Sequence, residues 1–268
     1  MKVAQIKKEL QRHASKKRKK TNEWFFKTGK GEYGEGDIFI GVRVPDIRKV
    51  VNNFLELDLV ELKKLLHSKI HEERLTALLI LVENSKRASK KANYGDKQAR
   101  TRHEQILKFY LNNLEFVNNW DLVDLSTHYI LGQAILDGLR KESILDEFSQ
   151  SDNLWERRIS IVSTWVIIRT GKIDTTLRIS KKLLDDKEDL IHKAVGWMLR
   201  ESWKLGEPNR KRRMRENKKG KKAQEQVEQF LIKNYNQLPR TTLRYAIERM
   251  EEKKRKRFLK GVFKSLGR

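Results

Sequence analysis

Trp120 and Asp124 stand four residues apart in the segment Asn118-Asn119-Trp120-Asp121-Leu122-Val123-Asp124. Four residues is one helical turn, so the indole and the carboxylate share a face. The apolar residues that follow (Leu122, Val123, Ile130, Ala134, Ile135) make a stripe without needing either of them. An aromatic beside an acid, in a chain of net charge +24, suits a site that meets something cationic inside something anionic. The neighbouring Asp121 falls in the first turn, where an acid is expected only to complement the helix macrodipole. His128, one turn beyond Asp124, reads as a helix-surface histidine.

Composition narrows the partners. The chain has 268 residues, enough for one or two domains with a sizeable core. Sixty Lys and Arg against 36 Asp and Glu give a pI of about 10.1, and such an excess points to a polyanion: DNA, RNA or an acidic membrane surface. No apolar run is long enough to span a bilayer. The basic run Lys16–Lys20 is followed by no apolar segment, so no signal peptide is expected. The absence of Cys excludes disulfides, thiolate metal sites and cysteine nucleophiles, and fits a reducing, cytoplasmic compartment. His67 and His71 are four apart but straddle a turn and lack the carboxylate geometry of a zinc site, so no metal and no cofactor are expected.

These residues must be positioned by helices. Three Pro, strong helix formers and a dominant 3.6-residue apolar period predict an all-α chain. Short polar segments introduce similar helices: Ile70–Arg74 before Leu75–Val82, Asn118–Trp120 before Leu122–Leu136, Asn153–Arg158 before Ile159–Ile168, Leu190–Lys193 before Ala194–Leu199, and Leu238–Thr242 before Leu243–Met250. This weak recurrence predicts a HEAT-like α-solenoid of stacked antiparallel helix pairs, with a concave basic groove lined by the second helices. Residues 1–268 read as a single domain with basic inserts at about 85–103 and 205–222. The second carries Arg210, Lys211, Arg212, Arg213, Arg215, Lys218, Lys219, Lys221 and Lys222. Such crowded like charge suits either solvated loops or phosphate contact. Gly29-Lys30-Gly31-Glu32-Tyr33-Gly34 matches G-x-G-x-x-G, but no strand precedes it and Glu32, Glu35 and Asp37 would repel a pyrophosphate. It reads as a flexible connection to a helix opening near Pro45.

Four blocks together carry a resemblance: Gly41-Val42-Arg43-Val44-Pro45-Asp46-Ile47-Arg48, Asn119-Trp120-Asp121-Leu122-Val123-Asp124, Ser151-Asp152-Asn153-Leu154-Trp155-Glu156-Arg157-Arg158 and Lys193-Ala194-Val195-Gly196-Trp197-Met198-Leu199-Arg200-Glu201. In their order and over roughly residues 20 to 250, the chain resembles the DNA alkylation-repair glycosylases of the AlkD type, whose fold is a HEAT-like solenoid. The resemblance implies that Asp124 is the catalytic carboxylate, that Trp120 and Trp197 are the indoles against the sugar of the damaged nucleotide, and that Arg158 contacts the DNA backbone. Arg43, Arg48, Lys193 and Arg200 in the same blocks, with Arg240 and Arg244 near the end of the chain, are expected to bind DNA beside Arg158. The chain departs from the pattern where family members often carry two adjacent Trp and this one has Asn119-Trp120.

The implied activity is hydrolysis of the N-glycosidic bond of cationic N3- or N7-alkylpurines in duplex DNA by a monomeric, monofunctional glycosylase. No lyase step is expected, because no lysine has an identifiable Schiff-base setting. A non-catalytic HEAT-like protein for branched or distorted DNA is the alternative within the superfamily. A scaffold for RNA or an acidic protein is the alternative outside it. Trp155 and Trp165 are expected in the core, and Trp203 leans the same way.

Overall fold

The computed structural model describes residues 2–207 and 218–263. Of the second basic stretch, Arg210, Lys211, Arg212, Arg213 and Arg215 lie outside the described residues. Among those described the chain is all-α, consistent with an α-solenoid. It divides into two units, residues 1–139 and 140–268.

The first unit holds α1 (Lys2–Arg12), α2 (Lys16–Phe25), α3 (Val44–Asn52), α4 (Leu59–Leu66), α5 (His71–Ala92), α6 (Lys97–Leu111), α7 (Trp120–Thr127) and α8 (Gln133–Leu136). Its centre is α5, against which α3, α4, α6 and α7 all pack. Every residue from His71 to Val82 is buried, as expected of a helix enclosed on all sides. Leu75, Leu78, Leu79, Ile80, Leu81 and Val82 supply apolar contact, each contributing about 1.5–3 kcal/mol on full burial. The first turn of α5 is different. His71, Glu72, Glu73 and Arg74 are charged or titratable yet at most 4% exposed, so each must find a partner inside the protein.

The second unit holds α9 (Ser143–Phe148), α10 (Leu154–Val162), α11 (Thr164–Ile168), α12 (Asp174–Lys182), α13 (Asp189–Trp203), α14 (Lys218–Lys233), α15 (Arg240–Ala246) and α16 (Glu252–Lys260). Here α13 is central and packs on α10, α11, α12, α14 and α15. Gly196 sets the α13–α15 spacing: a Cβ there would lie 2.5 Å from the Tyr245 Cβ and 2.6 Å from the Thr242 carbonyl oxygen. The Gly196-Trp197 pair in the sequence thus has a packing cause for its first member.

The structure changes several expectations from the sequence. The single helix expected over Ile159–Ile168 breaks at Ser163 into α10 and α11. Ser160, Ser163 and Thr164 each turn their hydroxyls back onto a helix carbonyl at 2.7 Å, which competes with the backbone ladder and bends it. The helix expected over Leu122–Leu136 is continuous but widens into a π-turn at His128–Gly132 between α7 and α8, a feature frequent at functional sites. His128, which opens that turn, is only 7% exposed, so it is not the surface histidine expected. The stretch 85–103 is no loop: it forms the last two turns of α5, a short connection, and the first half of α6. Trp155 and Trp165 are half-buried rather than core, and the Arg169 guanidinium lies 4.9 Å from the Trp165 ring centre.

The glycine-rich segment before α3 is also not a loose connection. The Glu72 carboxylate accepts the backbone N–H groups of Ile40, Gly41 and Val42 at 3.1, 2.8 and 3.2 Å. Gly41 has φ +82°, and a Cβ there would meet the Ser15 carbonyl oxygen at 2.3 Å and the Lys19 nitrogen at 2.6 Å. Only glycine fits both the dihedral and the approach of α2. Gly41→Ala should therefore lower the free energy of unfolding by about 1–3 kcal/mol, read as a lower urea midpoint at unchanged slope. An unshifted midpoint would mean that α2 does not rest on this segment.

Candidate active site

The site is built from the start of α7. Asn119 caps it: its Oδ1 accepts the Trp120 backbone N–H at 2.8 Å, satisfying one of the donors that a helix start leaves open. Its amide nitrogen donates to Asp37 at 3.0 Å, and the residue is fully buried. Asn119 is thus a cap that also reaches across to the glycine-rich segment.

Trp120 opens the helix and is half-buried. Phe26 stacks on its face, with centroids 5.1 Å apart and planes 12° apart. Phe25 approaches edge-on at 5.8 Å and 77°. Both are favoured aromatic geometries, and they hold the indole without covering it. Asp124 follows one turn later, also half-buried. Phe25 is itself 54% exposed and its neighbour Trp24 80% exposed, at the end of α2, whose five opening basic residues (Lys16–Lys20) include none that is buried.

Asp121 is not a simple answer to the helix dipole. Its Oδ1 accepts the Leu122 backbone N–H at 2.8 Å, and its Oδ2 lies 2.9 Å from His71 Nε2. The other ring nitrogen of His71 lies 3.0 Å from Asp37 Oδ2. Arg74 donates to the second Asp37 oxygen at 2.5 Å and to the Ser68 carbonyl at 3.1 Å. Burial alone would push the His71 pKa down; the charges and hydrogen bonds of Asp121 and then Asp37 outweigh it and push it up to about 9. Burial would likewise raise Asp37, but the His71 hydrogen bond, the Arg74 charge and Asn119 hold it below the ordinary carboxylate range. Sequence reasoning missed Asp37, His71, Arg74 and Asn119 as contributors. The N-cap position of Asn119 was the one local signal available.

In the second unit Trp197 lies midway along α13, half-buried. Arg158 on α10 is only 4% exposed, and its guanidinium donates to the Leu190 carbonyl at the start of α13. It therefore ties α10 to α13. Lys193 pairs with Asp189 at 2.7 Å, Arg200 pairs with Glu248, and Arg240 donates to the Leu259 carbonyl at 3.1 Å. Arg43 is exposed and donates to Asp46 at 2.8 Å. Arg48 and Arg244 are exposed and form no ion pair with another described residue. Trp203 donates its indole N–H to Glu228 at 3.0 Å. No helix among the described residues is long and apolar enough to cross a membrane.

The sequence matches the family model described as DNA alkylation repair enzyme over residues 6–212 and 217–250. Among solved structures, the fold is similar to that of a chain named as a predicted DNA alkylation repair enzyme from Enterococcus faecalis. The TM-score is 0.60 at 15% identity, covering 90% of this chain and 98% of that one. At that identity the likeness speaks to the fold. The comparison with curated proteins gave no match. On the family match, which spans nearly the whole chain, this protein belongs to the DNA alkylation repair enzyme family.

Proposed function

We propose that the protein is a monofunctional DNA glycosylase that releases cationic N3- or N7-alkylated purines from duplex DNA by hydrolysis. The observation that carries this reading is an acid, Asp124, one turn after an indole, Trp120, on a helix whose start is held by Asn119 and by the Asp121–His71 bond, in a chain of the DNA alkylation repair family.

The chemistry explains why these residue types suffice. An N3- or N7-alkylpurine already carries positive charge, so the base leaves without a strong acid to protonate it. As the bond lengthens, positive charge develops on the deoxyribose. A preorganised carboxylate stabilises that charge and can orient or deprotonate the attacking water. The indoles of Trp120 and Trp197 add cation–π attraction of about 0.5–2 kcal/mol each, depending on desolvation. Arg43, Arg48, Lys193, Arg200, Arg240 and Arg244 are assigned to phosphate contacts, which hold the duplex without reading its sequence. Arg158 is assigned both a phosphate contact and, from its bond to Leu190, the placement of α13. The reading needs no metal, no cofactor and no second subunit, and it suits a cytoplasmic setting.

Two outcomes follow. With duplex DNA carrying N7-methylguanine, the wild-type protein should release free base, and Asp124→Asn should slow single-turnover release by about 100-fold or more while duplex affinity changes little. Equal release by the two proteins would remove Asp124 from the mechanism. Tight binding of branched DNA with no release by either would favour the non-catalytic alternative. Separately, Arg48→Ala and Arg244→Ala should each weaken duplex binding alike across sequences and reduce the slope of log K against log salt by about one. Anisotropy titrations over a salt series measure this, and an unchanged slope would place that arginine off the DNA.

A further inference from the structure

We propose that His71 is a positioning residue for the chemistry assigned to α7: its doubly protonated ring, clamped between Asp37 and Asp121, fixes the helix start that carries Trp120 and Asp124. The clamp itself stands on geometry; its kinetic consequence rests on the glycosylase reading.

Both ring nitrogens face carboxylate oxygens, Nδ1 at 3.0 Å from Asp37 and Nε2 at 2.9 Å from Asp121. A neutral imidazole has one N–H and one lone pair. It would leave one of the two carboxylates, whose side chains are largely buried, facing a lone pair, which is costly away from bulk solvent. The charges agree with the protonated ring. From the glycine-rich segment His71 meets Asp37; from α7, Asp121; from its own helix, Arg74 lies on the far side of Asp37. Glu72, next in sequence, is committed to the amides of residues 40–42. Phe26 and Phe39, which pack on the ring at 5.2 and 4.5 Å, bring no charge. Two aspartates, Arg74 and a protonated His71 sum to zero; a neutral His71 leaves a buried net charge of −1.

The clamp bears on Trp120 by two routes. Asp37 holds Asn119, which caps the Trp120 N–H. Phe26 touches both the His71 ring and the Trp120 indole. Deprotonation of His71 should therefore release Asp121 or Asp37 and loosen the start of α7. The sign follows from the direction of the shift. His71 is raised from 6.5 to about 9 on folding, so its contribution is full below the unfolded value, shrinks above it, and is lost as pH rises through about 9.

The test compares wild type with His71→Gln on the N7-methylguanine duplex, at saturating protein, from pH 6 to 10. The expected result is a fall in the single-turnover constant of about tenfold or more, with duplex Kd within about twofold. Wild-type rates should drop on passing about pH 9, while the variant shows no such drop. A variant that is less stable but whose folded fraction reacts at the wild-type rate would overturn the proposal. A nitrogen-15 spectrum of wild-type imidazoles and indoles is the second measurement, needed if His71→Gln does not fold or if wild type releases no base. Both His71 nitrogens protonated at neutral pH, with the Trp120 indole peak moving at the same midpoint, supports the clamp even if the glycosylase reading falls. A neutral His71 at pH 7, or an indole peak indifferent to its titration, overturns it.

Discussion

A buried histidine between two aspartates holds together three stretches of chain that are far apart in sequence. Asp37 comes from the glycine-rich segment, His71 and Arg74 from the first turn of α5, and Asn119 and Asp121 from the start of α7. Ion pairs of this kind seldom stabilise more than apolar packing of the same volume would. What they add is direction, since a bond between a ring nitrogen and a carboxylate oxygen tolerates little rotation. α5 could pack against many helices through its leucines. Its first turn accepts only the arrangement that answers four charged or titratable side chains at once.

That constraint matters because electrostatic catalysis depends on placement. A carboxylate stabilises a developing cation only if it is already in position and does not reorient during the reaction. The clamp, the Asn119 cap and the Phe26 stack all converge on Trp120, one turn before Asp124. A leaving base that carries its own positive charge asks for no acid and no metal. On the glycosylase reading proposed above, rigidity near a single acid is then the main thing the protein must supply. On the same reading, the surplus of 24 positive charges works on another scale, drawing the polyanion to the surface without choosing a nucleotide.

The helical class and the main elements were legible because the 3.6-residue pattern is local. The Trp120–Asp124 pair was legible for the same reason: one helical turn is a property of the sequence. The clamp was not. Its partners lie 34 and 50 residues apart, and nothing near His71 marks it as more than one of two histidines four apart. The helix-dipole argument accounted for Asp121 from its place in the first turn; only the fold shows that it meets His71 in the interior. His128 was misjudged because what covers it, to 7% exposure, is set by tertiary packing and not by its place in the local pattern. The glycine-rich segment looked loose because the need for glycine at Gly41 comes from α2, a tertiary neighbour. Arg158 shows the opposite limit. Its place in a recognisable block gave it a role at the DNA, whereas the structure also gives it a carbonyl to satisfy at the head of α13.

The central claim is that this protein breaks glycosidic bonds to cationic purines. The most direct measurement is chromatography of the small molecules freed from globally methylated duplex DNA incubated with the purified protein. The account predicts free N3-methyladenine and N7-methylguanine above the spontaneous rate, with a matching number of intact abasic sites in the DNA. DNA that is bound but yields no base beyond the spontaneous rate would contradict it.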